Sequence, residues 1–225
     1  MASACLQKGT RLTDATKTLI AALLDRSGSM DSCKPATEDG WRELINEQRL
    51  EPGYCEVMLA QFDTEYEVLY PPTDINSVPE FVVDPRGRTA LLDATGRFIT
   101  EVGERLSAVP EHERPGKVIC LIMTDGYENA SKDWTWGAVR RLINQQRDLY
   151  SWEFIFLGAN IDAVEVGARM GIVAGSALTF APDSYVGNRA AYRATSEKVK
   201  YARMLRTVDF TEADRDAAMG GQSGA

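Results

Sequence analysis

The chain has 225 residues, 44% of them hydrophobic and 26% charged, a composition ordinary for one folded α/β domain and unlike a disordered or fibrous chain. No apolar run approaches the roughly 20 residues that cross a bilayer. A net charge of −8, with pI near 4.9, disfavours nucleic acid and anionic membranes as partners.

The opening Met1-Ala2-Ser3-Ala4-Cys5-Leu6-Gln7-Lys8 lacks a basic patch followed by an apolar stretch, so no secretory signal is expected and a cytoplasmic location is. The first strong element is Leu19-Ile20-Ala21-Ala22-Leu23-Leu24, apolar at every position, as a strand covered on both faces must be. It ends at Asp25 and runs into the polar turn Arg26-Ser27-Gly28-Ser29-Met30. Residues 35–50 follow as an amphipathic helix with Trp41, Leu44, Ile45 and Gln48 on one face. Residues 54–62 and 65–70 are strand-like runs separated by Asp63-Thr64, too tight a connection for anything but an antiparallel hairpin. Residues 71–85 read as loop or short edge structure. The stripe Leu91, Leu92, Thr95, Phe98, Ile99, Val102 and Leu106 predicts a helix over 89–109. Residues 117–124 form a second strand, apolar from Val118 through Met123 and again stopped by an aspartate, Asp125.

Beyond it, the pattern predicts a helix over 134–150, a strand over 152–157, a short helix over 162–170 and an edge strand over 177–180. A long polar helix is expected over 184–205. Its basic residues Arg189, Arg193, Lys198, Lys200, Arg203 and Arg206 read as a solvated face. Thr211-Glu212-Ala213-Asp214 is a capping box for a last short helix, and 220–225 reads as a frayed end. Helices alternating with strands after one hairpin predict a doubly wound, mostly parallel six-stranded sheet with one antiparallel edge strand. The expected organisation is an N-terminal extension (1–16), one domain (17–182) and a C-terminal helical extension and tail (183–225).

In such sheets ligands bind beyond the carboxyl ends of the strands. Asp25-Arg26-Ser27-Gly28-Ser29, Arg86-Gly87-Arg88-Thr89 and Thr124-Asp125-Gly126 all fall at that edge. Any one of these segments is what turns and helix caps ordinarily supply. Together they offer the carboxylates of Asp25 and Asp125 and, in Ser27, Ser29 and Thr89, three hydroxyls besides Thr124, hard oxygen donors suited to Mg²⁺, Mn²⁺ or Ca²⁺ and poor for zinc or copper. Gly28, Gly87 and Gly126 are placed to let the loops converge, and Met30 to pack.

Taken in order, Asp25-x-Ser27-x-Ser29, Thr89 and Thr124-Asp125-Gly126 resemble the metal-ion-dependent adhesion site of von Willebrand factor A domains, over roughly residues 17–180. The resemblance implies a Rossmann-like six-stranded fold and one Mg²⁺-type ion. Ser27, Ser29 and Thr89 would coordinate it, while Asp25 and Asp125 hold its waters or enter the first shell. It further implies binding without catalysis, the ion capturing an Asp or Glu carboxylate of a protein partner. Arg86 and Arg88 are placed either to steer such a partner or simply to be solvated. The alternative is an accessory subunit of an AAA+ ATPase machine of the MoxR or chelatase type; the short chain is similar in style to small stand-alone A-domain proteins of bacteria and their viruses.

Enzymatic readings fare less well. A haloacid dehalogenase-type phosphohydrolase needs a second acid two residues after the first, where this chain has Ser27, and no P-loop motif occurs. His112, the only histidine, sits in a polar loop away from the three segments. Cys33 has no visible base. Cys5, Cys33, Cys55 and Cys120 form no C-x-x-C pair and are expected as free thiols.

Overall fold

The computed structural model describes residues 13–221. β1 (Asp14–Asp25) is followed by α1 (Lys34–Arg49), then by the hairpin β2 (Tyr54–Phe62) and β3 (Tyr66–Asp74). α2 (Leu91–Ser107) leads to β4 (Pro115–Thr124), α3 (Trp136–Tyr150) to β5 (Glu153–Ala159), and α4 (Ala163–Met170) to β6 (Ala177–Phe180). α5 (Tyr185–Arg203) and α6 (Glu212–Ala218) complete the chain. The sheet has six strands in the order β3-β2-β1-β4-β5-β6, parallel throughout except for β3, which pairs antiparallel with β2 at the edge. The expected fold class is therefore the observed one.

Both central strands are apolar at every core position because each face is covered. Ile20, Ala22 and Leu24 of β1 pack with Trp41, Leu44, Tyr192 and Val199 under α1 and α5. The alternate residues Leu19, Ala21 and Leu23 pack with Leu91, Phe98, Val139 and Met170 under α2, α3 and α4. β3 runs four residues past the expected end at Tyr70, through Pro71 and Pro72. An edge strand tolerates proline because one side of its backbone needs no ladder partner.

The C-terminal helices are part of this core. Ala191, Tyr192, Val199, Ala202, Phe210 and Ala218 are buried in the same cluster as β1 and α1. The expected solvated basic face of α5 is largely a docking face instead. Arg189 pairs with Glu43 at 2.6 Å, Lys200 with Glu51 at 3.1 Å, and Arg203 Nη1 donates to the Gln48 carbonyl at 2.7 Å. Lys198 is buried, donating to the carbonyls of Gly175 and Val208. A run of like charges read along one helix cannot reveal that acceptors at the carboxyl end of α1 meet it. The Thr211–Asp214 capping box forms as expected. Cys5, the opening Met1–Lys8 and the tail from 222 onward lie outside the described residues.

Among the described residues, no helix is long and apolar enough to cross a membrane. Cys33, Cys55 and Cys120 are buried free thiols.

Candidate metal centre

β1 feeds α1 and then β2 on one side; β4 feeds α3 and then β5 on the other. The neighbours β1 and β4 thus diverge at their carboxyl ends, and a crevice opens where the strand order reverses. Asp25 and Asp125 stand at that switch point, and the register places Leu24 opposite Met123, one residue before each strand's end.

Asp25 is fully buried. Its Oδ1 accepts the Ser27 amide at 2.6 Å and its Oδ2 accepts the Thr124 hydroxyl at 2.6 Å, so it shapes the turn that carries the serines. Asp125 Oδ1 accepts the Ser29 hydroxyl at 2.8 Å and the Ser27 hydroxyl at 3.4 Å, and the two hydroxyl oxygens are 3.2 Å apart. Adjacent ligands of an octahedral ion at about 2.1 Å lie about 3 Å from one another, so this spacing suits Mg²⁺. Thr89, also buried, joins the group: a Cβ built on Gly126 would lie 3.5 Å from the Thr89 hydroxyl oxygen and 3.9 Å from that of Ser29. All five sequence-predicted residues therefore meet at one crevice, reached from solvent past the exposed Gly28 and Ser29. Of the three glycines, only Gly87 has a left-handed backbone (φ +70°), which a side chain would strain. Met30 is buried packing.

The electrostatics fit a cation. Burial pushes Asp25 up to about 7 against the lowering effect of the Thr124 and Ser27 hydrogen bonds, with Asp125 pushing the same way. Burial likewise raises Asp125. The second oxygen of Asp125 is buried without a hydrogen-bond partner. Two desolvated carboxylates side by side, one oxygen unsatisfied, form a site whose cost a hard divalent ion would offset. Among the described residues no trio of His, Cys, Asp or Glu gathers as a metal cage; the donor set here depends on hydroxyls.

The loops are braced by residues whose role is not visible in the sequence. Asp63 is buried between the β2–β3 turn and the site loops. It accepts from Arg26 Nε at 3.1 Å, Arg86 Nε at 2.9 Å and the Glu65 amide at 2.6 Å, while its carbonyl accepts the Ala90 amide at 3.0 Å. Arg86 is thereby committed to Asp63 and Glu65, and Arg88 Nη2 donates to the Asn129 carbonyl at 2.5 Å. Glu128 accepts the Leu92 amide at 2.9 Å, satisfying a free donor at the start of α2. Nothing in local patterning marks Asp63 or Glu128, because the partners are distant in sequence: Arg26 and Arg86 lie 37 and 23 residues from Asp63, and Leu92 lies 36 residues from Glu128.

The side chains considered for catalysis are not at the crevice in usable form. His112 is exposed in a 3-10 turn at the amino end of β4, the opposite end of the sheet, beside Glu113. Cys33 is buried against Met30, and burial pushes its thiol up to about 11.

No family model and no curated protein matches the sequence. Solved structures match the fold. The pilus adhesin SpaC from Lactobacillus rhamnosus GG aligns with 14% identity and a TM-score of 0.59 over 86% of this chain and 31% of that one. A von Willebrand factor type A structure from Catenulispora acidiphila aligns with 14% identity and a TM-score of 0.57 over 82% and 43%. The vWF domain of the type V pili tip protein Mfa5 from Porphyromonas gingivalis aligns with 9% identity and a TM-score of 0.55 over 87% and 98%. This chain spans less than half the length of the first two. The class they define is the von Willebrand factor A fold, and this chain has it.

Proposed function

We propose that this chain is a divalent-cation-dependent protein-binding module, in which Ser27, Ser29 and Thr89 coordinate a Mg²⁺-type ion backed by Asp25 and Asp125. The observation that carries the reading is the unsatisfied, buried Oδ2 of Asp125 beside a convergence of neutral hydroxyls. Neutral ligands leave much of the ion's charge uncompensated, so it would seek an anionic oxygen from outside. A partner's Asp or Glu supplies that oxygen. The adhesin and pilus-tip neighbours support a binding role. A non-enzymatic role is supported by the crevice itself: Asp25 is engaged by the Ser27 amide and the Thr124 hydroxyl, Arg86 and Arg88 offer only donors, and Cys33 is a buried thiol. The free buried thiols accord with a reducing compartment such as the cytoplasm.

Titration calorimetry with Mn²⁺ tests the ion. One site per chain is expected, and Asp25→Ala, Asp125→Ala or Thr89→Ala should weaken it more than about tenfold while circular dichroism stays unchanged. Equal binding by wild type and Asp25→Ala defeats the assignment. Pull-down with and without EDTA tests the mechanism, since a complex that survives chelation does not use the ion.

A further inference from the structure

We infer that Asn129 is a positioning residue for the ion site, clamping the backbone of Thr89 so that its hydroxyl is held beside Gly126 on the Ser29 side of the crevice before any ion arrives. This rests on the metal-centre reading above. Asn129 lies four residues past Asp125, on the loop leaving β4. Its side-chain Oδ1 accepts the Thr89 amide at 3.1 Å, and its own amide donates to the Thr89 carbonyl at 3.0 Å. Thr89 is therefore gripped through both of its backbone polar groups by one residue. Arg88 closes the other side by donating to the Asn129 carbonyl at 2.5 Å.

The clamp is anchored at both ends. Glu128 Oε1 accepts the amides of Ala130 at 2.9 Å and Ser131 at 2.7 Å, folding the loop into a tight turn, while its Oε2 accepts the Leu92 amide at 2.9 Å. The Ser131 hydroxyl accepts the Asp93 amide at 3.0 Å, and Asp93 in return accepts the amides of Lys132, Asp133 and Trp134. The loop after Asp125 thus caps the start of α2, and the start of α2 caps the loop. Two of the three ligand-bearing segments form one rigid body. Only a threonine whose backbone is fixed presents its hydroxyl without paying ordering entropy when the ion binds. Asn supplies what this position needs: a side-chain acceptor short enough to meet the Thr89 amide while its own backbone amide reaches the Thr89 carbonyl.

The test uses the full chain and Mn²⁺ as the probe. Asn129→Ala removes the Oδ1 acceptor while leaving the backbone half of the clamp. It should raise the Mn²⁺ dissociation constant about tenfold with little change in the unfolding midpoint. Asn129→Asp keeps an acceptor for the Thr89 amide and should recover most of the lost affinity. In the metal-free protein, hydrogen exchange at the Thr89 amide should be slow in wild type and Asn129→Asp and fast in Asn129→Ala. A purely structural role would shift the midpoint without this localised change. Wild-type affinity in Asn129→Ala, or unchanged Thr89 exchange, overturns the clamp. Absence of Mn²⁺ binding by wild type overturns the metal centre instead, so the two failures are distinguishable.

Discussion

At the scale of single residues, Asp63 shows how a buried charge organises a site it does not line. Burial pushes its carboxyl upward, but the Glu65 amide, Arg86 and Arg26 together outweigh that and hold it below the ordinary carboxylate value. A carboxylate whose folded value is depressed contributes stability that is present above its unfolded value, near 4, and is lost as pH falls through the folded value. Asp63→Asn should therefore destabilise the protein at pH 7 by about 3 kcal/mol, because the buried Arg26 loses its close partner and keeps only Glu67. The gap between wild type and variant should narrow as pH falls below about 4. Urea unfolding at a series of pH values reads this directly, and a gap that stays constant down to pH 2.5 contradicts it.

At the scale of elements, the contact between α1 and α5 is set by one glycine. Gly40 lies against the Tyr192 ring so closely that an added Cβ would fall 2.3 Å from a ring carbon. Tyr192 is fully buried and bonds through its hydroxyl to Met123 of β4 at 2.9 Å, so it has little room to yield. Helix propensity alone says that Gly40→Ala should stabilise α1 by about 1 kcal/mol. Overpacking costs about 1–3 kcal/mol and should win, giving net destabilisation. Chemical denaturation decides the sign, and a more stable Gly40→Ala protein would mean that α5 slides freely on α1. The same interface explains the basic run of α5. Its cations pair with Glu43, Glu51 and the last carbonyls of α1, which only become neighbours once the two helices lie side by side.

At the scale of the whole molecule, α5 and α6 cover one face of the sheet as α2, α3 and α4 cover the other. Truncation after residue 182 should expose Trp41, Leu44 and the outward residues of β1, and produce a protein that binds the dye ANS and unfolds without a sharp transition. A truncated chain with cooperative unfolding and no dye binding would show that the first 182 residues are complete by themselves.

The architecture was legible because two apolar strands, a hairpin turn and 3.6-residue stripes are local patterns, and their alternation admits few topologies. The convergence of Asp25, Ser27, Ser29, Thr89 and Asp125 was legible for a related reason: each sits where a strand ends or a helix begins, and strand ends in a doubly wound sheet share one edge. The extension of β3 through Pro71 and Pro72 was not, since proline reads as a breaker until the strand is known to be an edge. Asp63, Glu128 and Asn129 were equally invisible, as was the docking of α5. Their roles are defined by acceptors and donors brought together across the fold, from Asn129 to Thr89 or Arg203 to Gln48, and no local period encodes a partner 40 or 155 residues away. By itself the sequence determined the element order, the sheet and the edge at which its polar residues gather. Tertiary structure alone decided which charges are buried, which loops hold one another, and which hydroxyls are fixed in place, because hydrogen bonds and ion pairs at long separation depend on where the backbone returns.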